Sequence, residues 1–415
     1  MFPKTHLVCI GTRPEIIKMA PVYRQLKAQG QNVRVLHTGQ HGAMADALYG
    51  FFDMPPDISI DLQRQSSSLA HLSVALMNGI EDAMHTLRPD VMLVQGDTSS
   101  ALVGAMVGYY HDVPVAHIEA GLRTGEREPF PEEKNRELIG RLAHWHFTPT
   151  VQCTHNLLAE GVKEARIQEV GNTVIDAALW TSERISQPDF DLLAAYPDNL
   201  RAFMQQYLQQ RLILVTAHRR ENWGQPIRNI AQALARTLAE QPDVVAVWPV
   251  HPNPAVRADV EAVLGGLPTA VRARICLTEP LGYQVLIALL LRCYFTLTDS
   301  GGIQEEASAF GKPVLIARES TERQELVQVG GAVLVGTDVD AIHRHATELL
   351  TQVDAYRAMQ LARSPFGDGH TAQRIAAALA GALPGRKGSS VLPFAPAVHS
   401  TPRTAHPVTA VAAHA

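Results

Sequence analysis

The sequence predicts an α/β protein built on two parallel sheets, each covered by helices on both faces. Three observations carry this. Short, continuously apolar runs alternate with amphipathic helical stretches almost to the C-terminus, the pattern of buried parallel strands. The strand–turn–helix pattern restarts near Leu212, which suggests two similar halves. At 415 residues the chain exceeds one ordinary hydrophobic core.

In chain order, the first half predicts strands at Leu7–Ile10, Val33–Leu36, Val91–Val94, Val113–Ile118 and His146–Phe147. The second predicts Leu212–Thr216, Val244–Val250, Ile275–Leu277, Tyr294–Thr298, Pro313–Ala317 and Ala332–Val335. The first helix should open at Pro14, a favoured first-turn residue, and stop before Gly30. Leu69, Leu72, Leu76, Ile80 and Met84 recur at helical spacing, as do Ile227, Ile230, Leu234 and Leu238, so each set should form one buried face. Patterning weakens over Thr181–Leu200, where two Pro-Asp pairs occur; the domain crossover is expected there or slightly before. The expected domains are 1–176 and 177–365. Residues 384–415 hold five Pro, seven Ala and no acidic residue, a composition expected to stay disordered.

Composition narrows the function classes. Hydrophobic residues make up 46% and charged residues 19%, as in a globular protein. A net charge of −5 offers no concentrated positive field, so neither a nucleic-acid nor a membrane-surface partner is expected. No apolar run approaches the roughly 20 residues that cross a bilayer. The N-terminal run is too short for a signal peptide. Cys9, Cys153, Cys276 and Cys293 lack metal-ligand or redox spacing, so reduced thiols, a cytoplasmic location and no metal or other cofactor are expected.

Ligands of open α/β sheets sit beyond the carboxyl ends of the strands, so the residues there are the candidates. Gly11-Thr12-Arg13-Pro14 follows the first strand and brings Arg13 to a helix start with Lys18 in its first turns, a setting that suits phosphate. Asp97, after Gln95-Gly96, has two readings: a cap for the next helix, or a proton-transfer group. Glu119 directly follows an apolar strand, where a carboxylate needs a partner. Glu132 opens the next helix, a place that also suits its charge structurally. Asp97, Glu119 and Glu132 thus leave one edge of one sheet, and convergent carboxylates are what proton transfer needs. In the second half, His218 holds the place of Arg13, next to Arg219 and Arg220, and reads as part of an anion site; His251 is positional at most. Asp299-Ser300-Gly301-Gly302 runs from a strand into a helix, whose first amides can grip a diphosphate at Ser300, Gly301 and Gly302. Glu306, one turn in, can accept ribose hydroxyls, and Arg323 supplies another cation.

These motifs, with Gly171-Asn172-Thr173-Val174-Ile175-Asp176, Pro131-Glu132-Glu133-Lys134-Asn135-Arg136 and His218-Arg219-Arg220-Glu221-Asn222, occur in an order that resembles the bacterial non-hydrolysing UDP-N-acetylglucosamine 2-epimerases. The resemblance runs from about residue 6 to residue 380. It implies two Rossmann-like domains of the glycosyltransferase-B type, a UDP-sugar in the cleft, and a last helix within 366–383 that packs back on the first domain. It also implies a homodimer that interconverts UDP-GlcNAc and UDP-ManNAc without metal or nicotinamide, supplying N-acetylmannosamine-type sugars for surface polysaccharide. Arg13, Lys18, Asp97, Glu119, Glu132 and His218 match its active-site positions; Ser300, Gly301, Gly302, Glu306 and Arg323 match its nucleotide-binding positions. The chain departs from the family pattern at Gln40-His41-Gly42-Ala43, in a region that helps the family bind a second, activating UDP-GlcNAc. It departs again at Gly125-Glu126-Arg127-Glu128-Pro129, a loop about one residue short. Two enzyme readings stay beside this one: an epimerase of a diacetamido uronic acid, and a UDP-sugar glycosyltransferase of the same fold. A non-catalytic nucleotide-sugar sensor would have no need of three cleft carboxylates.

Overall fold

The computed structural model describes residues 4–39, 43–62 and 66–381. The first sheet contains β1 (Thr5–Ile10), β2 (Asn32–His37), β3 (Ile58–Ser59), β4 (Val91–Gln95), β5 (Val115–Ile118), β6 (Trp145–Thr148) and β7 (Ile167–Glu169). All its pairings are parallel, in the order β3-β2-β1-β4-β5-β6-β7. The second contains β8 (Arg211–Thr216), β9 (Val244–Pro249), β10 (Ile275–Thr278), β11 (Phe295–Thr298), β12 (Val314–Ile316) and β13 (Ala332–Leu334). It is likewise parallel, in the order β10-β9-β8-β11-β12-β13. Both orders reverse direction beside a central pair, β1/β4 and β8/β11, and a crevice opens where neighbouring crossovers diverge to opposite faces.

Alternation along β1 explains the layers. Leu7 and Cys9 pack with Leu72, Leu76 and Ile80 on one face, while Val8 and Ile10 pack with Ile16 and Met19 on the other. Leu69, expected on the buried face of its helix, is 43% exposed; it is the first helical residue, beyond the edge of that layer. The helix Thr173–Ile185 packs against Arg13–Ala28 in the first domain and against Tyr283–Arg292 and Gly301–Ala309 in the second. Val174, Ile175 and Ala178 therefore join Tyr283, Ile287 and Ile303 in one apolar cluster beneath the cleft. The expected boundary at 176/177 falls inside this helix. The last helix, Thr371–Leu379, packs on Arg13–Ala28 and Thr173–Ile185. Asp176 Oδ1 accepts from the Ala372 amide at 2.8 Å, and Arg374 reaches the Val170 carbonyl at 3.1 Å. Gln40–Gly42 and the tail 384–415 lie outside the described residues. Among those described, no helix is long and apolar enough to cross a membrane.

Candidate active site

The two sheets bring their central strand ends together, and the charged groups of the cleft follow from this. Beyond β1, the buried Glu15 carboxylate accepts from the amides of Gly11 (3.1 Å) and Thr12 (2.7 Å), and from the hydroxyls of Thr12 (2.7 Å) and Thr98 (2.7 Å). One side chain thereby ties the turn after β1 to the turn after β4. Arg13 starts the helix and donates across the cleft to the Leu281 carbonyl at 3.3 Å.

Lys18 is buried on that helix, and its Nζ lies 2.6 Å from Glu119 Oε1. Glu119 follows β5 with φ +64°, a left-handed conformation that costs a non-glycine residue about 1–3 kcal/mol and must be held by its surroundings. The holding groups are Lys18, the Gln95 amide on Oε2, and Asn172 Nδ2 at 2.8 Å from Oε1. Burial would raise the Glu119 carboxyl, but Lys18 and Arg323 outweigh it and hold the group below the usual range. Asn172 Nδ2 also donates to Glu305 Oε2 in the second domain at 3.0 Å, and Arg323 Nε pairs with Glu305 Oε1 at 2.8 Å. Lys18, Glu119, Asn172, Glu305 and Arg323 are therefore one network across the interdomain cleft.

The cap reading of Asp97 does not hold. Thr98 is the N-cap of the Ser99–Tyr110 helix and accepts from the Ala101 amide at 3.0 Å, so Asp97 does not serve as the cap. Its carboxylate lies 2.8 Å from Arg136, and Asn135 holds its carbonyl at 2.8 Å. Burial raises the Asp97 carboxyl above its ordinary value; Arg136 opposes this, and the charges of Glu119 and Glu132 add to it. The three predicted carboxylates are thus within electrostatic reach of one another. Behind them, His117 is fully buried, donates from Nε2 to the Gly96 carbonyl at 2.7 Å, and is pushed down to about 3 by burial. A neutral imidazole braces the turn that carries Asp97.

In the second domain the organising group is Asp299, fully buried after β11. One oxygen, Oδ2, accepts from the amides of His218 (2.8 Å) and Arg219 (2.9 Å) and from Asn222 Nδ2 (2.9 Å). The His218 ring stays 47% exposed at the cleft, with Nδ1 3.4 Å from Asp299 Oδ1. Ser300 is the N-cap of Gly301–Ala309 but makes no side-chain capping bond, so it leaves the first-turn amides to another acceptor. A Cβ on Gly301 would stand 3.1 Å from the Arg323 guanidinium carbon, whereas one on Gly302 would meet only Ser300 Oγ at 3.9 Å. Arg323 therefore lies over the glycine turn. Glu306 is buried beside Tyr283, and burial pushes it up to about 8. His251 is held in its own loop, accepting from the Asn253 amide at 3.1 Å.

A cavity of about 990 Å³ opens beside this network, lined by Arg123, Phe130, Arg219, Arg318 and Glu322 among others. It borders the network without including Asp97 or Glu119. Asn172, Glu305, Asp299 and Gln95 are the site residues that sequence reasoning passed over. Asp299 adjoins Ser300, Glu305 adjoins Glu306 and Gln95 stands two residues before Asp97, a proximity that was the available signal; Asn172 stands in the Gly171-Asn172-Thr173 motif beside no chosen residue.

A family model described as UDP-N-acetylglucosamine 2-epimerase matches residues 24–380. The chain is 43% identical over 376 residues to the UDP-N-acetylglucosamine 2-epimerase of Yersinia pestis, covering 90% of this chain and 97% of the relative. To that of Escherichia coli K12 it is 40% identical over 378 residues, covering 90% and 97%. Among solved structures, UDP-GlcNAc 2-epimerase from Neisseria meningitidis bound to UDP-GlcNAc superposes with a TM-score of 0.81 at 34% identity, covering 91% of this chain and 99% of that one. Staphylococcus aureus MnaA with UDP also gives 0.81, at 36% identity over 94% and 100% of the two chains.

Proposed function

Because the chain belongs to the UDP-N-acetylglucosamine 2-epimerase family, we propose that its cleft inverts C2 of UDP-GlcNAc by eliminating UDP and adding it back. The enzyme is an isomerase of this nucleotide sugar. No carbonyl acidifies the C2 proton, so direct abstraction is very difficult. If the C1–O bond breaks first, its electron pair leaves on the β-phosphate oxygen and C1 becomes oxocarbenium-like. The C2 proton then passes to a carboxylate, and its electron pair forms the C1=C2 bond of a glycal. Readdition returns a proton to the opposite face of C2 and UDP to C1, giving UDP-ManNAc.

The observation that carries this reading is the split among the carboxylates. Asp97 is raised and Glu119 lowered, and neighbouring acids whose values are pushed apart take different roles. Asp97 moves the proton. Glu119 stays ionised, balances positive charge on the ring, and is steadied by Lys18. Glu132, whose charge lifts Asp97, serves the opposite face. Arg13, His218, Arg323 and the amides of Ser300, Gly301 and Gly302 receive the departing diphosphate, and Glu306 accepts the ribose. With UDP-GlcNAc as sole substrate in heavy water, proton NMR should show UDP-ManNAc carrying deuterium at C2. Epimer without exchange would exclude elimination and readdition.

The domains divide at about 176/177, with the last helix returning to the first domain. The enzyme works as a homodimer. Tyr109, Tyr110 and Leu138, exposed at 59%, 69% and 47% on the neighbouring helices Ser99–Tyr110 and Glu132–Leu142, are the apolar surface that supports an interface. Light scattering after gel filtration should give the mass of two chains. Four free, buried cysteines support a cytoplasmic location.

A further inference from the structure

We propose that Glu81, His85 and His111 form a binding site for a divalent transition-metal cation of the Zn²⁺ type, at the edge of the first domain away from the cleft. Glu81 and His85 stand one turn apart on the helix Leu69–Leu87, and His111 directly follows the helix Ser99–Tyr110. The two imidazoles approach the same carboxylate from different sides. His85 Nε2 lies 3.0 Å from Glu81 Oε1, and His111 Nε2 lies 2.7 Å from Glu81 Oε2. One ligand atom from each residue falls within 4.8 Å of the other two.

Two imidazoles and one carboxylate are a borderline-to-hard donor set that suits Zn²⁺, Ni²⁺ or Co²⁺, whereas Mg²⁺ and Ca²⁺ take oxygen ligands. An ion about 2.0–2.1 Å from each donor needs them roughly 3.3 Å apart. That requires only a small adjustment of His85, whose side chain is 71% exposed. A crevice of about 250 Å³, lined by Met84, His85, Arg88, Pro89, His111 and Val113, adjoins the cluster and has room for water at the remaining coordination position.

The placement argues for a clamp and against chemistry. His85 precedes β4 and His111 precedes β5, whereas Asp97 and Glu119 follow the carboxyl ends of those same strands. A cation at Glu81 would fasten the start of both strand–helix units while the reacting groups work at the opposite edge of the sheet. No spacing in the sequence reveals it, because the third ligand comes from a different helix.

The test uses the full chain, stripped with EDTA and then titrated with ZnCl₂ or MgCl₂. Zn²⁺ should raise the melting temperature of the wild type by about 2–4 °C, and Mg²⁺ should not. A His85→Ala/His111→Ala variant should melt with the EDTA-treated wild type, bind one equivalent less Zn²⁺ by calorimetry, and lose the shift. UDP-GlcNAc turnover should be the same with and without EDTA in both proteins. Equal Zn²⁺ uptake and equal shifts in wild type and variant would overturn the site. Turnover that EDTA abolishes would overturn its separation from the chemistry.

Discussion

The two sheets share one strand order around β1/β4 and β8/β11, yet the loops at these two places are built on opposite principles. In the first domain the strand ends carry ionisable side chains that perturb one another: Lys18 against Glu119, and Asp97 against Arg136 with Glu119 and Glu132 nearby. In the second, one buried carboxylate, Asp299, gathers backbone amides and leaves a glycine turn under Arg323. On the proposed function, the first arrangement moves protons and the second holds the nucleotide. Equal topology therefore says little about chemistry, which resides in the groups grafted onto it. We propose a sugar end on the first domain and a nucleotide end on the second.

The strongest way to break it is Asp97→Asn. This should lower turnover by about 10²–10⁴-fold, the usual contribution of a positioned acid or base. Affinity for UDP, measured by calorimetry, should stay nearly unchanged. Equal losses in both would end the division of the cleft. The pH profile of kcat/KM adds a second check. A base with a raised value loses its charge at higher pH than an ordinary aspartate, so the acid limb should lie above the normal Asp range, near 3.8.

Asp299→Ala should do the reverse. It leaves the His218 and Arg219 amides without their acceptor and Asn222 Nδ2 with only the Ala317 carbonyl, which costs about 1–3 kcal/mol. UDP affinity and melting temperature should both fall, and turnover at saturating substrate should change least. A variant that binds UDP normally would show that the loop 218–222 is ordered by other contacts.

The smallest expected effect sharpens the nucleotide end. Glu306 keeps its proton up to about pH 8 because it is buried. As pH rises through that value the carboxyl ionises and accepts more strongly from ribose hydroxyls, so UDP affinity should rise, by about tenfold or less. Glu306→Gln, which keeps the neutral shape, should bind UDP as the wild type does at pH 7 and lose this pH dependence. An unchanged slope would remove Glu306 from the nucleotide site.

Much of this is legible in the sequence. Continuous apolar runs marked the long strands, because a strand buried on both faces has no polar side to interrupt it. The edge strands Ile58–Ser59 and Ile167–Glu169 have only two and three residues, too few to show a pattern. The carboxylates and cations were legible as residues at strand ends. Their partners were not: Glu306 stood out in the sequence, but Glu305 is the one that joins Arg323 to Asn172.

By itself the sequence determined the local periodicity, the glycine turns and which chemical groups leave the strand ends. These depend on neighbours within a few residues. Only the tertiary structure decided which groups meet. Asn172 lies between Glu119 and Glu305, 53 and 133 residues away, and His111 reaches Glu81 from 30 residues further on. Such meetings depend on strand order and helix packing, which bring remote segments together and set both the burial that shifts Asp97 up and the contacts with Lys18 and Arg323 that shift Glu119 down. No periodicity in the chain encodes that distance, because electrostatic coupling acts through space and not along the sequence.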